Sequence, residues 1–142
     1  MSNTPVTSAR NQFSGKIASI TTGAVNSEVT LDIGVTHIVA IITNESVKNL
    51  KLAVGAAAYA LIKASWVILV KGGLKTSARN QLTGTVSSYK TGAVNAEVVI
   101  ALPGDNTVTA IITNESALNL GLKTGDTITA LIKASHVLIA VP

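Results

Sequence analysis

The sequence contains no cysteine, and only 3% of its 142 residues are aromatic. The absence of cysteine excludes a disulfide framework and a zinc site built on thiolates. Hydrophobic residues nevertheless make up 47% of the chain, so its apolar content consists of Val, Ile, Leu and Ala. A core without large rings is thin, and a unit of about 70 residues is marginally stable alone. We therefore expect apolar surface to be buried between the units of an oligomer.

Charged residues are also scarce, at 13% of the chain, and the net charge is +4. This mild basic excess favours anionic partners but lacks the dense Lys and Arg pattern of a nucleic-acid surface. Charged residues interrupt the apolar stretches 52–70 and 120–141, so no transmembrane helix and no membrane partner are expected. Residues 1–7 are polar and lack the apolar segment of a signal peptide, which predicts a cytoplasmic location.

The chain contains an internal repeat, because four motifs occur twice in the same order. The first copy contains Ser8-Ala-Arg-Asn-Gln12, Thr22-Gly-Ala-Val-Asn26, Ala40-Ile-Ile-Thr-Asn-Glu-Ser46 and Ala60-Leu-Ile-Lys-Ala-Ser65. The second contains Ser77-Ala-Arg-Asn-Gln81, Thr91-Gly-Ala-Val-Asn95, Ala110-Ile-Ile-Thr-Asn-Glu-Ser116 and Ala130-Leu-Ile-Lys-Ala-Ser135. The offset between the two copies changes by one residue between Ile33 and Ala40, where a hairpin turn tolerates a difference in length. The repeat predicts a first domain at 1–70, a glycine-containing linker at 71–75 and a second domain at 76–142.

Each half of the sequence is predicted to be rich in β-strands. Apolar and polar residues alternate along 28–33, 107–112 and 127–132, which is typical of half-buried strands. The apolar run 66–70 predicts a strand covered on both faces or at an interface. Short helices are expected to begin at Thr43 and Thr113, because Thr is a good N-cap. The order of three strands, a short helix and two strands predicts an all-β chain of two OB-like five-stranded small barrels in tandem.

Few residues support catalysis. His37 and His136 have no counterpart in the other copy, and no set of Ser, His and carboxylate residues repeats, so no catalytic triad is predicted. The copies share too few carboxylates for a hard-cation cage, and no P-loop motif occurs. The low aromatic content also offers almost no stacking platform for nucleic-acid bases. The chain is therefore predicted to be neither an enzyme nor a nucleic-acid-binding protein.

Comparison of the two copies identifies two shared basic positions. Of eleven Lys and Arg residues, only the pairs Arg10/Arg79 and Lys63/Lys133 are basic in both copies. These cations, with the hydroxyl groups at each predicted helix start, suit a dianionic oxyanion, since helix N-termini and cationic side chains both favour negative charge. Alternatively, each Arg forms a structural ion pair with a carboxylate of its repeat, at Glu28 or Glu97 or at Glu45 or Glu115. If no such ion pair forms, the side chains of Glu45 and Glu115 are expected to point to solvent.

In this order and spacing, the four motifs resemble those of the Mop domain, a small molybdate-binding module. The whole chain resembles a tandem Mop-domain (di-Mop) molybdate-binding protein. The resemblance implies molybdate storage and homeostasis, with molybdate or its analogue tungstate bound by hydrogen bonds between subunits and without direct ligation of the metal by protein. It implies no organic cofactor. It also implies a ring-like assembly of six Mop units, and hence a homotrimer of this chain.

The resemblance further implies two classes of molybdate site. In the first class, the helix-start hydroxyls of one unit face residues of a neighbour, at Ser8, Arg10, Thr43, Ser46, Lys63 and Ala64 or Ser65, and at Ser77, Arg79, Thr113, Ser116, Lys133 and Ala134 or Ser135. The second class would use backbone N–H groups at Gly23, Ala24, Val25 and Asn26, and at Gly92, Ala93, Val94 and Asn95. At these turns, a plain hairpin with the asparagine in a left-handed conformation is an equal alternative.

Two other functions stay open at this point. One is an OB-like nucleic-acid-binding module, which the low aromatic content opposes. The other is an assembly protein whose anion is structural. Because sulfate, molybdate and tungstate are all tetrahedral dianions, cavity size and donor placement, rather than charge, must separate them.

Overall fold

The computed structural model describes residues 6–142. Residues 1–5, part of the polar N-terminal segment, lie outside the described residues. The first half contains strands β1 (Asn11–Thr22), β2 (Asn26–Asp32) and β3 (His37–Thr43), helix α1 (Asn44–Asn49), strand β4 (Ala57–Ile62), a 3-10 helix (Ala64–Trp66) and strand β5 (Ile68–Val70). The second half contains β6 (Asn80–Thr91), β7 (Asn95–Ala101), a 3-10 helix (Pro103–Asp105), β8 (Thr107–Thr113), α2 (Asn114–Leu120), β9 (Thr127–Ile132), a 3-10 helix (Ala134–His136) and β10 (Leu138–Ala140). The predicted order of elements is confirmed in both halves.

Within 6–142, no helix has the length and apolar character needed to cross a membrane.

The strands form two five-stranded antiparallel sheets. Their strand orders are β10-β4-β1-β2-β3 and β5-β9-β6-β7-β8. The all-β class with two OB-like five-stranded sheets is thus confirmed, but the closed barrels are not observed in the described part of the chain. One edge of each sheet is β3 or β8, and the other edge is a strand of three residues that pairs with one neighbour.

The last strand of each half pairs with the other half. β10 pairs with β4, and β5 pairs with β9. As a result, one compact unit contains the chain up to Ile62 together with Ala134–Pro142, and the other contains Lys63–Lys133. The domains predicted at 1–70 and 76–142 follow the sequence repeat, whereas each compact unit takes its final strand from the opposite repeat.

Aliphatic side chains on alternating strand positions form the core of each unit. Val29, Leu31 and Ile33 are buried, as the alternation along β2 predicts, and Val108 and Ala110 are buried on β8. Of the run 66–70, only the last three residues form a strand, and that strand is covered on one face within its unit, so coverage on both faces is not observed there while the interface alternative stays a prediction. The first residue of that strand is 63% exposed, as expected for the outer face of an edge strand.

The long strands β1 and β6 connect the two parts of each sheet. β1 pairs with β4 through 11–16 and with β2 through 16–22, and a β-bulge lies between Ile17 and Ser19. Gly15 lies just before this bulge, where a Cβ atom would overlap the carbonyl oxygen of Asp32. The equivalent Gly84 of β6 has the same close contact with the backbone of β7. The sheet therefore needs glycine at this position, since two backbones approach closely there.

Candidate anion-binding site

The start of each helix presents a fixed pair of hydroxyl groups. Thr43 is the N-cap of α1, and its Oγ1 accepts a hydrogen bond of 3.1 Å from the backbone N–H of Ser46. The same Oγ1 donates to Ser46 Oγ at 2.9 Å. In the second unit, the corresponding distances between Thr113 and Ser116 are 3.1 and 2.8 Å. Both predicted N-caps are confirmed.

These hydrogen bonds determine which donors an anion would meet. Because Thr43 Oγ1 uses its hydrogen on Ser46 Oγ, the serine hydroxyl hydrogen is not used within this pair and can be donated to another acceptor. The N–H of Ser46 is already bonded to the cap, and the N–H of Asn44 donates to Val25 O at 2.9 Å. The helix start therefore offers fewer backbone donors than the sequence suggests, and the serine hydroxyl becomes the main donor at this position.

In the second unit, the hydroxyl pair lines an open cavity of about 380 Å³. Ser65 and Asn95 contribute further polar groups to its wall. The remaining lining is aliphatic and consists of Val67, Ile68, Leu69, Ile111, Ile112 and Leu120. The exchange of final strands thus brings Ser65 of the first repeat to Thr113 and Ser116 of the second, within one compact unit. In the first unit, the 3-10 helix containing Ser135 packs against β3.

The predicted cationic residues lie at the ends of strands. Arg10 and Arg79 precede β1 and β6, and their side chains are exposed, as are those of Ser8 and Ser77. Lys63 and Lys133 follow β4 and β9 and are exposed as well. Lys63 Nζ lies 5.7 Å from the centroid of the Trp66 ring, a cation–π contact. The second lysine has a histidine in place of this tryptophan, at His136.

The alanine and serine after each lysine differ in exposure. Ala64 and Ala134 are each 2% exposed, so they present almost no atom to a ligand. Ser65 and Ser135 are exposed. The sequence offered Ala64 or Ser65, and Ala134 or Ser135, as candidate ligands. In each pair the exposed serine is the better hydrogen-bond donor to an anion. Among residues 6–142, no three His, Asp or Glu side chains are grouped so that they could hold a metal ion.

The Gly-Ala-Val-Asn segments form hairpin turns between the first two strands of each half. Gly23 N–H donates to Asn26 O at 2.8 Å, and Gly92 N–H donates to Asn95 O at 2.7 Å. The central residues Ala24, Val25, Ala93 and Val94 are exposed. The left-handed conformation suggested for the asparagines is wrong, because neither has a positive φ and each begins a strand. The glycine N–H groups are used within the turn, so the exposed central residues hold the remaining backbone donors.

The asparagine of the Thr-Asn-Glu-Ser motif was not among the site residues predicted from the sequence. Asn44 Nδ2 donates to Gly23 O at 3.0 Å, and Asn114 Nδ2 donates to Gly92 O at 2.9 Å. One residue in each unit therefore links the hairpin turn to the helix start, and the two candidate site classes are neighbours. The sequence feature that could have identified this residue is its presence in both copies of the motif, at Asn44 and Asn114.

The end of α2 is held by Lys71, which the sequence assigns to the linker. Lys71 Nζ donates to Leu120 O at 3.2 Å and to Gly121 O at 3.1 Å, and it forms an ion pair of 3.1 Å with Asp126. The hydrogen bond from Lys71, followed by that from the backbone N–H of Lys123, lowers the pKa of the Asp126 carboxyl group. Lys71 therefore stabilises the helix whose other end presents the hydroxyl pair.

The fold and the hydroxyl-lined sites define a tandem of small all-β binding modules. The chain belongs to the TOBE domain family, whose model matches residues 7–69 and 76–139. This membership, with the relatives described next, confirms the predicted resemblance to tandem Mop domains.

Three known proteins illustrate the similarity. The chain is 49% identical over 138 residues to the molybdenum transport protein ModE of Herbaspirillum seropedicae, covering 95% of this chain and 51% of that protein. It is 45% identical over 139 residues to the molybdenum-pterin-binding protein MopA of Rhodobacter capsulatus, covering 96% and 52%. The chain thus spans about half the length of these curated relatives. A crystal structure of the cytoplasmic molybdate-binding protein ModG with molybdate bound matches with a TM-score of 0.93 and 46% identity, covering 96% of this chain and 99% of that one.

Proposed function

We propose that this chain binds molybdate, and tungstate as its analogue, for storage and homeostasis in the cytoplasm, without catalysing a reaction. The observation that carries the proposal is the likeness, over 96% of this chain, to ModG with molybdate bound. The repetition of the hydroxyl pair and of the basic positions in both copies supports an anion as the ligand.

The first class of site would hold the oxyanion through hydroxyl and cationic donors. Ser116 would donate from the helix start, and Ser65, which lines the same cavity, would supply a second hydroxyl donor. Hydrogen bonds to a charged acceptor are shorter and stronger than those between neutral groups. An arginine and a lysine, at Arg79 and Lys133 or at Arg10 and Lys63, would balance the charge of a dianion. The second class would use the exposed backbone of the hairpin turns.

The sites would be completed by neighbouring chains in a homotrimer with six Mop units. Two exposed apolar positions on the short edge strands support association, because Ile68 is 63% and Leu138 is 55% exposed. Val25 and Val94 at the hairpin turns are each 70% exposed. Such side chains are candidates for burial against a partner, in keeping with the small aliphatic core of each unit.

Titration calorimetry on the purified chain tests the proposal. Molybdate and tungstate should bind saturably, whereas a single-stranded oligonucleotide should release no binding heat. Arg79→Ala should weaken molybdate binding without unfolding the chain, because the side chain is exposed. Lys75→Ala, a basic change in the linker, is the matched control and should leave binding unchanged. Absence of saturable binding heat with both molybdate and tungstate would refute the proposal. Unchanged molybdate binding by Arg79→Ala would assign that residue a structural role.

Further measurements separate the alternative roles. If the anion is only structural, its removal should dissociate the oligomer in sedimentation experiments, and reassociation should accompany its return. If the ligand is a molybdenum-pterin, as the name of MopA suggests for that relative, free molybdate should bind poorly and the pterin complex tightly. Sulfate competition at equal concentration measures how far the cavity distinguishes tetrahedral dianions by size.

A further inference from the structure

Asn44 and Asn114 each fasten a hairpin turn to the start of a helix by two hydrogen bonds. In the first unit, the side-chain Nδ2 of Asn44 donates to Gly23 O at 3.0 Å, and its backbone N–H donates to Val25 O at 2.9 Å. In the second unit, Asn114 forms the same two bonds, both at 2.9 Å, with the turn that begins at Gly92. Each asparagine directly follows the threonine that caps the helix.

The two units differ at the third hydrogen bond of this asparagine. In the first unit, Ser27 Oγ donates to Asn44 Oδ1 at 2.5 Å. In the second unit, Ala96 occupies the equivalent strand position, and Asn114 Oδ1 is buried without a hydrogen-bond partner. Ser27 and Ala96 are 2% and 1% exposed, so the two sites differ in one hydroxyl group inside otherwise similar buried surroundings.

A buried carbonyl oxygen without a donor destabilises the arrangement that buries it. Rotation of the Asn114 amide does not remove the problem, because it would place the oxygen against the Gly92 carbonyl oxygen that Nδ2 now bonds. Any opening that admits water to Asn114 Oδ1 is therefore favoured in the second unit relative to the first. The link between turn and helix start should open more often at 92–95 than at 23–26.

We propose that Asn44 and Asn114 are positioning residues for the anion sites, and that the missing hydroxyl at Ala96 makes the second unit the weaker binder. The inference rests on the proposed function. A site that is already ordered spends less of its binding free energy on ordering. Since one hydrogen bond contributes about 0.5–1.5 kcal/mol, the affinity difference due to this hydroxyl is about two- to twelvefold.

The decisive experiment compares single sites in the full-length chain. Ser46→Ala impairs the first unit and reports on the second, while Ser116→Ala impairs the second and reports on the first. Adding Ala96→Ser to the Ser46→Ala chain should strengthen molybdate binding by about two- to twelvefold. Adding Ser27→Ala to the Ser116→Ala chain should weaken it by a similar factor.

Amide hydrogen exchange without anion supplies a readout that does not depend on binding. The segment 92–95 should exchange faster than 23–26 in the natural chain, and Ala96→Ser should slow it. If Ala96→Ser slows exchange but leaves molybdate affinity unchanged, the asparagine link is structural only and the inference is overturned. Equal exchange of the two turns would also overturn it. A natural chain that binds no molybdate would instead refute the proposed function, whatever the exchange result.

Discussion

Replacing Ser116 by alanine separates anion binding from helix stability. The backbone N–H of Ser116 bonds to Thr113 Oγ1 at 3.1 Å, and this bond does not involve the serine side chain. The substitution does remove the acceptor of the 2.8 Å hydrogen bond from Thr113 Oγ1, but that bond is exposed, so water can replace the acceptor. The substitution should therefore keep the helix cap and change the free energy of unfolding by no more than about 0.5 kcal/mol, as for most surface changes. It removes a hydroxyl donor that we expect to face the anion. A hydrogen bond to a charged group is worth about 1.5–3 kcal/mol, so molybdate affinity should fall roughly ten- to a hundredfold.

Titration calorimetry and urea denaturation on the same preparations measure the two effects. Thr113→Ala provides the contrast. It removes the side-chain oxygen that caps the helix, and it should therefore lower the free energy of unfolding by about 1 kcal/mol. Ser14→Ala is the matched control, since Ser14 is an exposed serine on β1 and is not among the predicted site residues. Unchanged molybdate affinity in Ser116→Ala would refute the assignment of this hydroxyl. Loss of affinity together with a large loss of stability would show that the side chain acts through folding.

Two further predictions concern stability. Lys51 has a left-handed φ of 54° where the equivalent Gly121 has 60°. Since this region costs an L-residue roughly 1–2 kcal/mol, urea denaturation should show Lys51→Gly to be more stable by about 1 kcal/mol and Gly121→Lys to be less stable; equal stabilities would contradict this. The hydrogen bond from Lys71 lowers the pKa of Asp126 below its ordinary 3.8. The ionised Asp126 therefore stabilises the folded chain above pH 3.8, and this stabilisation is lost as the pH falls through the lowered pKa. Asp126→Asn should therefore flatten the acid side of a pH–stability curve, and an unchanged curve would show that the ion pair contributes nothing.

The order of elements could be predicted because each signal is local. Alternation along 28–33 marks a strand whose apolar side chains are indeed buried, and Thr43 and Thr113 cap their helices as their residue type suggests. The repeat also indicated the hydroxyl pairs at the helix starts, whereas the shared basic positions stay predictions as site residues. These features depend on neighbouring residues, so a single sequence contains them.

The exchange of final strands could not be predicted from local pattern. β5 and β10 are short aliphatic strands, and their possible partners β4 and β9 share the sequence Ala-Leu-Ile at their ends. Because either strand suits either partner, pairing within a repeat and pairing across repeats look alike at this level. The choice depends on the path of the whole chain. It also determines that Ser65 meets the hydroxyl pair of the other repeat.

The contacts of the asparagines could not be predicted for a different reason. Asn44 lies beside a strong N-cap, and its contacts at Gly23 and Ser27 are distant in sequence. The substitution of Ala96 for Ser27 is ordinary as a sequence difference. It becomes informative only when the structure shows that Asn114 Oδ1 is buried and lacks a partner.

Equilibrium dialysis of the full-length chain against molybdate, followed by a molybdenum count per chain, tests the central claim most directly. The natural chain should retain molybdenum in a saturable, stoichiometric amount, and the double variant Ser46→Ala/Ser116→Ala should retain less at the same free concentration while staying folded. Molybdenum at background level in the natural chain would contradict the account. Equal retention by the double variant would contradict the placement of the anion at the two helix starts.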